Sequence, residues 1–238
     1  QVGQTAVTVY WEMGQKRFGR LDIEIPPNTN DTEVVAELIG LRYLLIEKEI
    51  FGNQAAGNGL TLQVTKGAIR KVLKGQSSKK HLVPYAQFLR TRYVDADIEV
   101  SKPNAEQLER WSAIKVAENV PYCVGDHGNV VDTLAIGPVE ITAHAVERYA
   151  ERLLDGDVKR IWRSLIQRLQ HAGLVDADLP ARVRAHKLKK YADRPGQRIV
   201  KHPDGTMHFV LVPNGQGEMT LVTVFELEGT QRHVYGAS

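Results

Sequence analysis

The apolar residues of this chain change their period several times, and the order of those changes restricts the fold more than any other feature. Over residues 6–13 and 18–25 they alternate, with Val7, Val9 and Trp11 on one face of the first run and Leu21, Ile23 and Ile25 marking the second. Alternation at a period of two marks strands covered on one side. Gly14-Gln15-Lys16 joins the two runs as a hairpin turn, and Pro26-Pro27-Asn28 closes the unit. A helical period then starts from a cap at Asn30 or Asp31. It runs through Val35, Leu38, Ile39, Leu41, Leu44, Leu45 and Ile50 and ends near Gly52. A short strand at 60–65, helices at 68–73 and 80–92, and a strand at 96–100 complete a β-β-α-β-α-β order. That order predicts an α/β layer arrangement.

After Lys102-Pro103 the pattern predicts a helix over 105–118 and a turn-rich stretch over 121–128. A strongly helical region follows, at 144–154, 158–171 and a basic 179–191. The tail returns to alternation at 198–201, 207–212 and 219–227, punctuated by His202-Pro203-Asp204-Gly205 and Asn214-Gly215. The expected class is therefore α/β (α+β), with a mixed sheet and helices first and helices on a small antiparallel sheet second. With 238 residues the chain suits two domains of ordinary size, expected at 1–132 and 138–238. A composition of 42% hydrophobic and 25% charged residues excludes a disordered or fibrous chain. No apolar run reaches the roughly 18 residues of a membrane span, so no membrane partner is expected. The start shows neither a basic region nor an apolar one of the secretory kind. Cys123 is the single cysteine, which excludes an intrachain disulfide and a zinc site made of cysteines alone. The cytoplasm is the expected compartment.

The net charge of +3 says little, but its distribution says more. Arg182, Arg184, Lys187, Lys189, Lys190, Arg194, Arg198 and Lys201 are opposed within their stretch only by Asp193, with His186 and His202 alongside. Such a run suits a polyphosphate backbone, and it names Lys187, Lys189, Lys190, Arg198 and Lys201 as candidate contacts to RNA. A basic helix facing only water has the same composition.

The most distinctive stretch is Ile141-Thr142-Ala143-His144-Ala145-Val146-Glu147-Arg148-Tyr149-Ala150-Glu151-Arg152-Leu153. Thr142 is a good helix cap. His144, Arg148 and Arg152 recur every four residues, so the pattern places an imidazole and two guanidiniums along one face. This helix, followed by His208-Phe209-Val210-Leu211-Val212 and Leu221-Val222-Thr223-Val224-Phe225-Glu226, resembles the RelE/barnase-like ribonuclease toxin group over about residues 139–228. The resemblance implies an RNA endonuclease of the toxin kind, found on plasmids or phages. It implies an antitoxin or inhibitor protein as partner, and cleavage through the RNA's own 2′-hydroxyl without a cofactor. His144 would act as acid or base, Arg148 and Arg152 would grip the phosphate, and Glu226 would be an alternative base.

The first half resembles a degenerate ribonuclease H-like fold. Val9-Tyr10-Trp11-Glu12 matches its first acidic strand and Ala36-Glu37-Leu38-Ile39 its acidic helix. Where the family carries Thr-Asp-Ser, this chain has Val64-Thr65-Lys66-Gly67, and an ammonium there opposes two clustered divalent ions. That resemblance implies a nucleic-acid- or partner-binding module. The alternative it leaves open is a magnesium-dependent nuclease at Glu12, Glu37 and Asp132. A third possibility is a nucleic-acid-binding protein without catalysis.

Overall fold

The computed structural model describes residues 5–52, 55–125, 128–153, 160–189, 195–204, 207–215 and 217–227. Its helices and mixed sheets make an α/β fold. The chain divides into two compact units, Gln1–Arg90 with Ala96–Gly128, and Thr91–Asp95 with Asn129–Ser238.

In the first unit, β1 (Thr5–Met13) and β2 (Arg17–Ile25) form the expected hairpin, paired from Thr5↔Ile25 to Met13↔Arg17. Gly14 turns it with φ +60°, a conformation that costs glycine little. The cross-strand pairs Val7↔Ile23 and Val9↔Leu21 share one face, and Leu21, Ile23 and Ile25 are fully buried. Helix α1 (Thr32–Arg42) covers that face. A side chain at Gly40 would place its Cβ 3.3 Å from Ile23 Cδ1 and 3.4 Å from Val9 Cγ1. Glycine therefore sets how closely helix and hairpin approach.

Asp31 occupies the cap position of α1 but makes no side-chain cap bond. Its carboxylate pairs instead with Lys79 and His81, and these bonds hold it below the usual carboxylate range. The helix does not continue to Gly52. It widens into a π-helical turn at Tyr43–Glu47, where the Tyr43 hydroxyl donates to Glu118 and its pKa is pushed up to about 12.

Next come β3 (Thr61–Val64), α2 (Gly67–Leu73) and β4 (Asp97–Val100), with β3 and β4 paired in parallel. The predicted continuous helix over 80–92 is broken. Two 3-10 turns, Lys80–Leu82 and Pro84–Ala86, precede a short α3 (Gln87–Arg90). Pro84 lacks an N–H and clashes with a preceding helical turn. Helix α4 (Ala105–Ser112) opens on a capping box between Asn104 and Gln107. It stops short of the predicted 118, because β5 (Glu118–Val120) pairs in parallel with β2.

The second unit is built on a six-stranded sheet. Its elements are β6 (Val130–Thr133), β7 (Gly137–Ile141), α5 (Ala143–Ala150), α6 (Ile161–Leu169), β8 (Val175–Asp176), α7 (Ala181–Lys189), β9 (Arg198–Lys201), β10 (Met207–Pro213) and β11 (Met219–Glu226). The order is β6-β7-β11-β10-β9-β8. The three tail strands lie where alternation puts them. The sheet is mixed, however, and not the purely antiparallel one expected. β7 precedes the helices, and β11 returns beside it in the same direction, Met219↔Val139 to Leu221↔Ile141. A parallel pair requires a long crossover of this kind. Strand β10 is buried from Met207 to Val212, as a central strand covered on both faces must be.

The division falls at Gly128/Asn129, ahead of β6, so the hairpin of β6 and β7 belongs wholly to the second unit. Thr91–Asp95 joins it through side chains. Thr91 Oγ1 donates to Asn129 at 2.7 Å. The Asp95 carboxylate accepts the amides of Ile161 and Trp162 at 2.9 and 3.0 Å. It thereby caps α6, whose own cap residue Arg160 makes no such bond. Among the described residues no helix is long and apolar enough to cross a membrane.

Candidate functional site

Helix α5 carries the residues singled out by their four-residue spacing. Thr142 accepts the Ala145 amide at 3.1 Å and caps it as expected, while Val146 and Tyr149 are buried. His144 is exposed in the first turn. The helix ends at Ala150, so Arg152 follows it and does not extend the row. Arg148 donates to Glu151 at 2.6 Å, and Arg152 Nη1 donates to the Arg148 carbonyl and lies 3.5 Å from the same Glu151 oxygen. Both guanidiniums are thus drawn to one carboxylate. Glu226 ends β11 opposite Met207, whose carbonyl accepts the His202 amide. That register brings Glu226 to the same end of the sheet as the β9–β10 turn.

The inner side of α5 leads to a second cluster. The Tyr149 hydroxyl lies 2.7 Å from Ser164 Oγ of α6 and accepts Arg168 Nε at 3.1 Å. Arg168 Nη1 donates to Asp204 at 2.6 Å. His202 Nδ1 lies 3.1 Å from the same Asp204 oxygen. The His202 ring meets that of His171 edge to face, with centroids 4.8 Å apart. His171 is exposed and its Nδ1 accepts the Gly173 amide at 3.0 Å. A Cβ at Gly173 would come within 2.9 Å of Pro203, so the two histidine-bearing turns pack as closely as that glycine allows.

Three segments, α5, the end of α6 with the turn after it, and the β9–β10 turn, therefore converge on one guanidinium, two imidazoles, a carboxylate and a phenol. The sequence places His202 only beside the basic run, and gives no direct sign that Tyr149, Arg168, His171 and Asp204 form a group with it. The one available signal was that a buried tyrosine needs a partner for its hydroxyl.

Burial pushes the His202 pKa below the usual 6.5, with Arg168 and His171 acting in the same direction and Asp204 opposing. The folded protein therefore holds His202 neutral where the unfolded chain begins to take a proton. Stability should be full above about pH 6.5 and fall as pH drops towards the folded pKa. Denaturation midpoints between pH 5 and 7.5 should show that slope, and His202→Gln should flatten it. An unchanged slope would assign the acid sensitivity to other groups.

The basic run is only partly in view. Helix α7 leans on the sheet through Val183, which packs beside Leu179, Ile199 and Phe225. Arg182, Arg184, His186 and Lys189 are exposed on it. The side chain of Lys187, and Lys190 with Arg194, lie outside the described residues. Arg198 is paired with Asp176 at 3.0 and 3.3 Å, and Lys201 is half-buried on β9.

In the first unit, Glu12 of β1 and Glu37 of α1 both line a cavity of about 600 Å³ that β3 and α4 complete. Glu37 accepts the Thr65 amide at 2.5 Å and the Thr65 hydroxyl at 3.0 Å, yet burial pushes its carboxyl up. Glu12 Oε1 accepts from Gln107, and Oε2 stands 3.7 Å from Arg110. Lys66 is turned to Glu33. Asp132 is exposed on β6 of the other unit. Among the described residues no three His, Cys, Asp or Glu side chains gather as metal ligands. A magnesium pair calls for several ionised carboxylates. A guanidinium beside Glu12, and a Glu37 carboxylate with both oxygens already engaged by Thr65, do not fit that donor set.

Comparisons with protein-family models, with curated proteins and with solved structures gave no match for this chain.

Proposed function

We propose that this protein is an RNA endonuclease working without a metal, with its reaction centre at Arg168, His202, Asp204, His171 and Tyr149. The reading is supported by one observation above others. A guanidinium held in place by a carboxylate and a phenol stands beside two imidazoles in mutual contact, one sheltered and one open to water. Oriented charge of this sort is usually the largest contribution to stabilising a phosphorane-like transition state.

The chemistry balances with these groups alone. The neutral His202 takes the proton of a ribose 2′-hydroxyl, and Asp204 at 3.1 Å stabilises the imidazolium that forms. The 2′-oxygen bonds to the adjacent phosphorus, the bond to the 5′-oxygen breaks, and His171, starting in its imidazolium form with the Gly173 amide contact released, gives a proton to that leaving oxygen. Arg168 faces the charge that develops on the phosphoryl oxygens. Arg182, Arg184 and Lys189 on α7 offer further contacts to the strand.

The products should carry 2′,3′-cyclic phosphate and 5′-hydroxyl ends, and RNA with a 2′-deoxy substitution at the scissile nucleotide should resist. End-group analysis with and without EDTA tests this directly. Cleavage that stops on chelation and returns with magnesium would overturn the proposal, as would intact RNA after long incubation with protein that binds it.

A further inference from the structure

The cavity of the first unit has a wall that protein–protein hydrogen bonds do not fully satisfy. Glu12 Oε2 is buried and accepts no hydrogen bond, and Trp111 Nε1 is buried and donates none. Leaving such groups unmatched costs free energy that a ligand can recover. Both residues line the cavity, but the two atoms themselves are closed to solvent, so a ligand reaches them only as these side chains turn; they carry opposite needs, one for a donor and the other for an acceptor. Around them Gln107 steadies Glu12 through Oε1, Arg110 stands 3.7 Å from Oε2, and the rings of Tyr10 and Trp111 stack 5.5 Å apart within 5° of parallel. The volume of about 600 Å³ lies in the range of small-ligand sites.

A carboxylate beside a guanidinium forms an edge with acceptor and donor adjacent, and flat aromatic side chains bound the same space. The ligand that matches is planar, aromatic and hydrogen-bonding along one edge. We propose that this cavity binds a nucleobase, with guanine preferred. The guanine edge brings two N–H donors towards Glu12 and a carbonyl oxygen towards Arg110, and its π-face suits the Tyr10–Trp111 wall. A bare cation would use neither the guanidinium nor the aromatic rings. The site lies in the unit that does not hold the proposed reaction centre, so it does not depend on cleavage.

The test is binding to the full chain, read by the indole N–H resonance of Trp111, assigned with Trp111→Phe. Two probes separate the possible sources of the base: guanosine 5′-monophosphate for a free nucleotide, and a 2′-deoxy trinucleotide with guanine in the middle for a base within a strand. The deoxy sugar removes the 2′-hydroxyl, so failure of the ribonuclease reading leaves this measurement untouched. Saturable binding of either probe that shifts the Trp111 resonance is expected, with adenosine 5′-monophosphate weaker. Glu12→Gln should weaken guanine binding by about tenfold or more, the usual scale for losing a paired base contact, with an unchanged circular dichroism spectrum. Should Glu12→Gln fail to fold, Arg110→Gln carries the same expectation from the other end of the edge. Absence of binding by both probes, or binding that neither variant weakens, overturns the proposal.

Discussion

Arg168→Ala is expected to lower the rate of RNA cleavage by about 10²–10³-fold, the usual cost of removing one oriented charge-stabilising group. Its guanidinium is fixed between Tyr149 and Asp204 at 3.1 and 2.6 Å, so it needs no reorganisation as negative charge builds. Arg168→Lys should restore only part of the rate, because an ammonium cannot hold Tyr149 and Asp204 with the same planar fork. Arg148→Ala should cost much less, since that guanidinium is already paired with Glu151 on the surface of α5. Single-turnover rates for the three variants, with denaturation midpoints as a control for folding, make the comparison. Equal losses in Arg148→Ala and Arg168→Ala would move the reaction centre to the row of His144 and Arg148.

Phe209→Ala should produce the largest loss of stability, about 3–5 kcal/mol for truncating a large aromatic side chain in a packed core. Phe209 is fully buried in the middle of β10, which pairs with β11 on one side and β9 on the other. The strands that flank the His202–Asp204 turn depend on that packing. Urea denaturation should show a lower midpoint for the second unit, and activity should fall with it at temperatures where the variant begins to unfold. A loss below about 1 kcal/mol would mean that the sheet collapses around the missing ring, as well-adapting sites can.

How far the chain could be read in advance depended on the range of the forces involved. The first hairpin, α1, β3, α2, β4 and the strands of the tail follow from the period of Val, Ile and Leu, because each element must turn one apolar side inwards. Thr142 was legible as the cap of α5 for the same local reason. The break of the helix over 80–92 was visible in principle at Pro84. β5 and β8 were not legible: they are three and two residues long, too short to display alternation, and exist because a neighbouring strand offers hydrogen bonds. Asp95 gave no sign in the sequence that it caps a helix 66 positions away.

The candidate site divides along the same line. A spacing of four gave His144 and Arg148 a common face, since helix geometry alone fixes it. It could not tell that α5 stops at Ala150, nor that Glu151 draws in both arginines, because helix ends and surface pairing depend on what lies around them. The sequence by itself determined an α/β chain, its strand-rich ends and the basic stretch before the last strands. Only the tertiary structure decided that β11 returns parallel to β7, that Tyr149, Arg168, His171, His202 and Asp204 meet, and that Glu12 shares a cavity wall with Trp111. Periodicity is a local record of burial. The meeting of residues from separate segments depends on the crossover and on close packing at Gly173 and Gly40, which no local pattern encodes.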